Sequence, residues 1–230
     1  MEFIIIILIT IILSILLGYI FSINKNKILS LAKNQKLDDM AKQYPSNIQL
    51  CKKYLKKLNN ENVKIEENKD TEASLYIAVT NKIVIANISD TFTRIQTIAH
   101  ECLHSIQDRK VLIFNFIFSN IYLLYYFVIC ILALFNLLPF KMMFLSIFLL
   151  LSLINYTVRM YLENDAMIKA RFFAKEYLEE EKISNKEDID EMVKGFDDLN
   201  NLGMKYIHYQ FLLSSMVETL IFSIICFLVK

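Results

Sequence analysis

The chain has 230 residues, 55% hydrophobic and 21% charged, with 3 Gly, 2 Pro and no Trp, a composition that excludes intrinsic disorder, collagen-like repeats and low-complexity linkers. Its 25 Lys and Arg nearly balance 24 Asp and Glu, and the net charge of +1 supplies no overall field that would favour nucleic acid. The mean hydropathy of +0.39 arises because apolar residues gather in blocks with the charges between them, as in a polytopic membrane protein with a substantial polar part.

A helix needs about 20 apolar residues to cross the hydrocarbon core. The first such block, residues 3–22, has no Lys or Arg ahead of it and no small-residue cleavage site near Ser22, so it is expected to be an uncleaved anchor. A polar module follows over residues 23–110. In it, Pro45-Ser46-Asn47-Ile48-Gln49 carries an S-x-x-Q capping box that predicts a helix through about Leu58. Three short β-branched runs come next, Val63–Glu66, Leu75–Val79 and Ile83–Ala86. The last two flank Thr80-Asn81-Lys82, which predicts a small sheet ending in a hairpin. Asp90 is placed to cap a helix from Thr91 to about Asp108 that runs directly into a second span, Leu112–Phe135.

After the short turn Asn136–Lys141, a third span runs from Met142 to about Val158, completing a pair of spans over residues 111–158. Residues 159–206 form the second polar segment, in which Ser184 and Glu187 repeat the capping box before a helix leading towards the fourth span, Phe211–Val229, within residues 207–230. That span contains Glu218, expected to be protonated or paired with another helix, because an unpaired charge there is expensive. The fold class is therefore an α-helical polytopic membrane protein with about four transmembrane helices and a small α+β module. Between Ser22 and Lys110 lie 15 Lys and Arg, and between Arg159 and Lys205 another 8, with only Lys141 and Lys230 elsewhere. Basic loops stay inside, so both polar segments are expected to be cytoplasmic, in a multi-pass protein of the cell membrane. Cys51, Cys102, Cys130 and Cys226 form no C-x-x-C pair and read as reduced thiols.

One motif carries chemistry. His100-Glu101-Cys102-Leu103-His104 is an H-E-x-x-H that uses two of the chain's three histidines. Residues four apart share a helix face, so both imidazoles can hold one metal ion while Glu101 reaches a water beside it. Zinc held by two histidines needs a third protein ligand and an open position. The remaining histidine, His208, lies in the aromatic Tyr206-Ile207-His208-Tyr209 at the start of the fourth span and reads as part of an interfacial belt. Glu163 is the better candidate, because two spans return the chain to the side on which His104 lies. Asp165 stands about 200° further round that helix, so it supports the site from behind or is solvated. The strand Ile83–Ala86 just before the motif helix is the candidate for holding an extended substrate as an added strand.

The run Ile98-Ala99-His100-Glu101-Cys102-Leu103-His104-Ser105-Ile106-Gln107 resembles the A-H-E-x-x-H-x-I-Q signature of the YugP-like neutral zinc metallopeptidases of bacterial membranes. The order of parts is similar over most of the chain, including an E-x-D-A segment matched by Glu163 to Ala166. The resemblance implies one zinc ion per chain, His100, His104 and Glu163 as ligands, Glu101 as catalytic base, and a zincin-like, gluzincin-like module acting on a peptide or protein substrate at the cytoplasmic face. The arrangement is also similar to HtpX-type and CAAX prenyl proteases, although Met167 stands where their E-x-x-x-D segment has its Asp, and Leu103 where a small residue often precedes the second histidine. The alternative is a catalytically silent metal-binding scaffold or adaptor, against which the intact Glu101 argues.

Overall fold

The computed structural model describes residues 2–71 and 73–229, and at positions 25 and 29 the backbone alone; Lys230, counted above among the basic residues, lies outside them. The elements run α1 (Glu2–Phe21), α2 (Lys25–Ala32), α3 (Gln35–Ala41), α4 (Asn47–Lys57), β1 (Lys64–Glu67), β2 (Leu75–Ile77), β3 (Lys82–Ile85), α5 (Arg94–His104), α6 (Arg109–Leu134), α7 (Lys141–Glu181) and α8 (Lys186–Leu228). Four helices are long and apolar enough to cross a membrane. The chain divides into two compact units. An apolar one takes the chain up to Ile23, Phe114–Tyr161 and from Lys205 on; a mixed one takes Asn24–Ile113 and Leu162–Met204.

Within the apolar unit the few polar side chains tie helices together. The Tyr122 hydroxyl donates to Glu218, Ser152 and Ser215 share a hydrogen bond of 2.6 Å, and Ser119 donates to Asn155 at 2.9 Å. His208 pairs through Nδ1 with the Tyr156 hydroxyl at 2.8 Å.

The mixed unit is built around one core. The face of α4 bearing Leu50, Cys51, Tyr54 and Leu55 meets Ile95, Ile98, Ala99 and Cys102 of α5, all fully or almost fully buried, as helical spacing of three and four requires. From α7, Ala166, Ala170 and Ala174 enter the same core with no exposure. Their small side chains at every fourth position let that helix approach closely, and Phe173 and Tyr177 beyond them put their rings 4.9 and 5.0 Å from Tyr54. Gly195 of α8 is needed for the same reason, since a Cβ there would lie 2.9 Å from Leu37 and 3.0 Å from Phe92. Arg94 at the head of α5 is buried, and its guanidinium donates to the carbonyls of Ala41, Tyr44 and Pro45 and to Asn47 Oδ1 at 2.7 to 3.2 Å. It thereby closes the loop after α3.

Several boundaries differ from the sequence expectation. The helix expected from Thr91 to Asp108 begins at Arg94, because Asp38 Oδ1 takes the Phe92 N–H at 2.7 Å and fixes the preceding turn. It ends at His104 instead of running on. Asn60 Nδ2 binds the Ser105 carbonyl at 3.0 Å, and the Asp108 carboxylate accepts the Lys110 N–H at 2.8 Å to start α6 afresh. At the second capping box the cap is Asn185, which accepts the Asp188 N–H at 2.9 Å, whereas Ser184 accepts a hydrogen bond from Tyr44. The hairpin β2–β3 forms as expected, with Asn81 at φ 49° in its turn. The sheet order is β1-β3-β2, with β1 parallel to β3 and β2 antiparallel to it. The strand expected to accept a substrate, Ile83–Ala86, corresponds to β3. It is central and paired on both sides, so it has no open edge; the edges are β1 and β2.

Candidate metal centre

Helical geometry brings His100 and His104 onto one face of α5, their rings edge to face with centroids 4.5 Å apart. Their Nε2 atoms are 3.0 Å apart. Glu163, near the start of the stretch of α7 that belongs to this unit, places Oε2 3.4 Å from His100 Nε2 and 3.7 Å from His104 Nε2. Its position follows from the alanine stripe: Glu163 precedes Ala166 and Ala170 by three and seven residues, so it shares the core-facing side of the helix. The three potential ligand atoms lie within 4.8 Å of one another, a group that could hold a metal ion.

The triangle fits a tetrahedral ion. Ligands at about 2.0–2.1 Å from such a centre stand about 3.3 Å apart, and the three edges here are 3.0, 3.4 and 3.7 Å. Three ligands leave the fourth vertex for a small molecule. Burial opposes the charged form of Glu163, but hydrogen bonds and charge from His100 and His104 outweigh it and hold the carboxyl well below the usual range. Burial likewise pulls His104 down, and Glu163, Glu101 and Gln107 together raise it above its ordinary value. An anionic carboxylate beside two imidazoles is the donor set that a divalent cation of intermediate softness takes up.

Glu101 is not part of the triangle. It lies buried beside the triangle, only 6% exposed, and burial pushes its carboxyl above the ordinary range while the two histidines and the backbone amide of Tyr76 pull it back. Tyr76 belongs to β2, so an edge strand of the sheet borders the centre. Asp165 stays outside the triangle: its Oδ1 takes Lys169 Nζ at 2.6 Å and its Oδ2 accepts from Gln107 at 3.0 Å. His208 pairs with Tyr156 in the apolar unit. Gln107, to which sequence reasoning assigned no role, touches both sides of the centre. Its contacts reach His104 Nδ1, the Leu162 carbonyl and Asp165. The signal available was its position three residues after a candidate ligand.

Comparison with family models, with curated proteins and with solved structures gave no match to this chain.

Proposed function

We propose that the chain is a membrane-anchored zinc metallopeptidase, with His100, His104 and Glu163 holding the ion and Glu101 acting as general base. The observation that carries the reading is the ligand triangle with a buried fourth residue of suitable chemistry next to it. Two imidazoles and one carboxylate are the ligand set of catalytic rather than structural zinc, which fills all four positions with protein side chains. A bound zinc ion would polarise a carbonyl oxygen and acidify a water molecule at the open vertex.

The protein's own part is proton handling and positioning. Glu101, with its basicity increased by burial, takes the proton of the attacking water and returns it to the leaving amine. A Gln in its place keeps the shape but cannot accept that proton. Extended polypeptide is the substrate class that suits the site, because β2 is an edge strand whose Tyr76 amide already points to Glu101, and a peptide laid along that edge gains backbone hydrogen bonds. The four apolar helices support a multi-pass protein of the cell membrane, and the distribution of Lys and Arg supports a centre on the cytoplasmic face. The resemblance to the YugP-like neutral zinc metallopeptidases agrees with this reading and rests on the motif residues.

The test uses the full chain in detergent, with metal content measured alongside hydrolysis of quenched extended peptides. One zinc per chain with hydrolysis that Glu101→Gln abolishes supports the peptidase. Zinc without hydrolysis of any peptide supports the silent scaffold instead.

A further inference from the structure

We propose that Gln107 is a positioning residue that fixes which nitrogen of His104 carries its proton and locks that ring to the α7 segment bearing Glu163. The proposal deepens the metal-centre reading and rests on it. Its starting point is a chain of groups whose hydrogen-bonding roles leave no choice. The side-chain amide of Gln107 faces three atoms, the Leu162 carbonyl oxygen at 2.9 Å, Asp165 Oδ2 at 3.0 Å and His104 Nδ1 at 2.8 Å. A backbone carbonyl accepts and never donates, and an ionised carboxylate does the same. Asp165 takes Lys169 Nζ at 2.6 Å through Oδ1 and offers Oδ2 to Gln107, and the Leu162 carbonyl by itself already fixes the amide nitrogen on this side. Two obligate acceptors on one side therefore claim both N–H groups of the amide.

The oxygen is then what faces His104. An amide oxygen only accepts, so His104 Nδ1 must carry the hydrogen. A neutral imidazole has one such hydrogen, so with Nδ1–H held by Gln107 its Nε2 lone pair is offered to the ion that would sit between Glu163 Oε2 and His100 Nε2, and only the doubly protonated ring donates to Glu163 as well. The line Lys169, Asp165, Gln107, His104 thus transmits polarity from a lysine on α7 to one ligand nitrogen. It also depends on α5 stopping at His104. If the helix continued, position 107 would follow its helical course; the break lets Gln107 bridge from the motif to the backbone carbonyl of the residue just before Glu163. One side chain orients the second histidine and registers it against the carboxylate ligand.

The experiment compares four full-length proteins in detergent: the parent, Gln107→Leu, Gln107→Glu, and Gln107→Glu combined with Asp165→Asn. Zinc affinity is read by competition with a chromophoric chelator, and the His104 tautomer by nitrogen-15 NMR of histidine-labelled, metal-free protein at a pH where the ring is neutral. Gln107→Leu should weaken zinc about 10–100-fold, the usual cost of losing the partner of a ligand histidine, and should mix the two tautomers. Gln107→Glu keeps an acceptor for Nδ1 but places it against the Asp165 carboxylate, so its affinity should fall between these two. The double variant restores a donor for the new carboxylate but leaves the Leu162 carbonyl facing an oxygen, so it should recover part of the affinity that Gln107→Glu loses. A purely structural glutamine would not show this rescue, and the thermal midpoint of each metal-free protein separates misfolding from altered ligation. Unchanged affinity and tautomer in Gln107→Leu, or a parent whose metal-free His104 carries its hydrogen on Nε2, would overturn the proposal. Failure of the parent to bind zinc would sink the metal reading alone, because the tautomer measurement still decides on Gln107.

Discussion

In the apolar unit, large side chains such as Ile15, at 69% exposure, and Leu124, at 64%, face outward, and the few polar groups, such as Tyr122 with Glu218 and Ser152 with Ser215, bind one another between helices. In the mixed unit the relation is inverted. Leu50, Ile83, Ile95 and Ile98 are sealed completely, and polar groups converge on a few points: Arg94 gathers four oxygens, and His100, His104, Glu163, Glu101 and Gln107 crowd together. Hydrogen bonds between membrane-spanning helices hold neighbours in register and cost little to lose. Converging contacts store positional information, and each member depends on the others. The two units should therefore respond very differently to loss of a single polar group.

The proposed cytoplasmic placement of the centre predicts an all-or-none difference. A cysteine at the exposed Lys69 should resist an impermeant thiol reagent on intact cells, while one at the exposed Leu137 should label fully. Labelling of the first would move the centre to the outer face. Next in size is Glu101→Gln, which should cut peptide hydrolysis by about 10²–10⁴-fold with zinc content unchanged, as measured on one preparation by rate assay and metal analysis. Arg94→Met comes third. It strands several buried carbonyls and should lower the stability of the mixed unit by about 2–4 kcal/mol, read as earlier heat-induced reactivity of the buried Cys51 and Cys102 thiols. The smallest effect belongs to the apolar unit: Tyr122→Phe removes one partner of Glu218, which Ser214 also binds, and should cost only about 0.6 kcal/mol, leaving zinc affinity untouched. A loss of zinc there would break the contrast between the units.

What the sequence makes legible follows the range of the physics involved. His100 and His104 share a face by helical periodicity alone, and the four apolar helices follow from length and hydropathy. The Ser46 to Gln49 capping box places the start of α4 at Asn47. The order of strands is not legible, because short runs such as Lys64–Glu67 and Lys82–Ile85 carry no mark of which is central, and so the sequence points to β3 as an open strand although both its sides are paired. Helices α2 and α3 escaped notice because neither has the length to show a period, although Leu37, Met40 and Ala41 of α3 enter the core. Its angle on the helix sets Asp165 apart from Glu163, but its bond to Gln107 depends on a helix break at His104 that rests on Asn60 and Asp108, contacts no local pattern announces. The alanine stripe at 166, 170 and 174 was the overlooked pointer to the face on which Glu163 lies.

The central claim is that two histidines of α5 and one carboxylate of α7 hold a single zinc ion, and the most direct measurement is metal stoichiometry in purified parent, Glu163→Ala and His208→Ala proteins. The account predicts one zinc per chain in the parent and in His208→Ala, whose imidazole is engaged with Tyr156, and little or none in Glu163→Ala. Retention of zinc by Glu163→Ala together with its loss from His208→Ala would contradict the account and transfer the third ligand to α8.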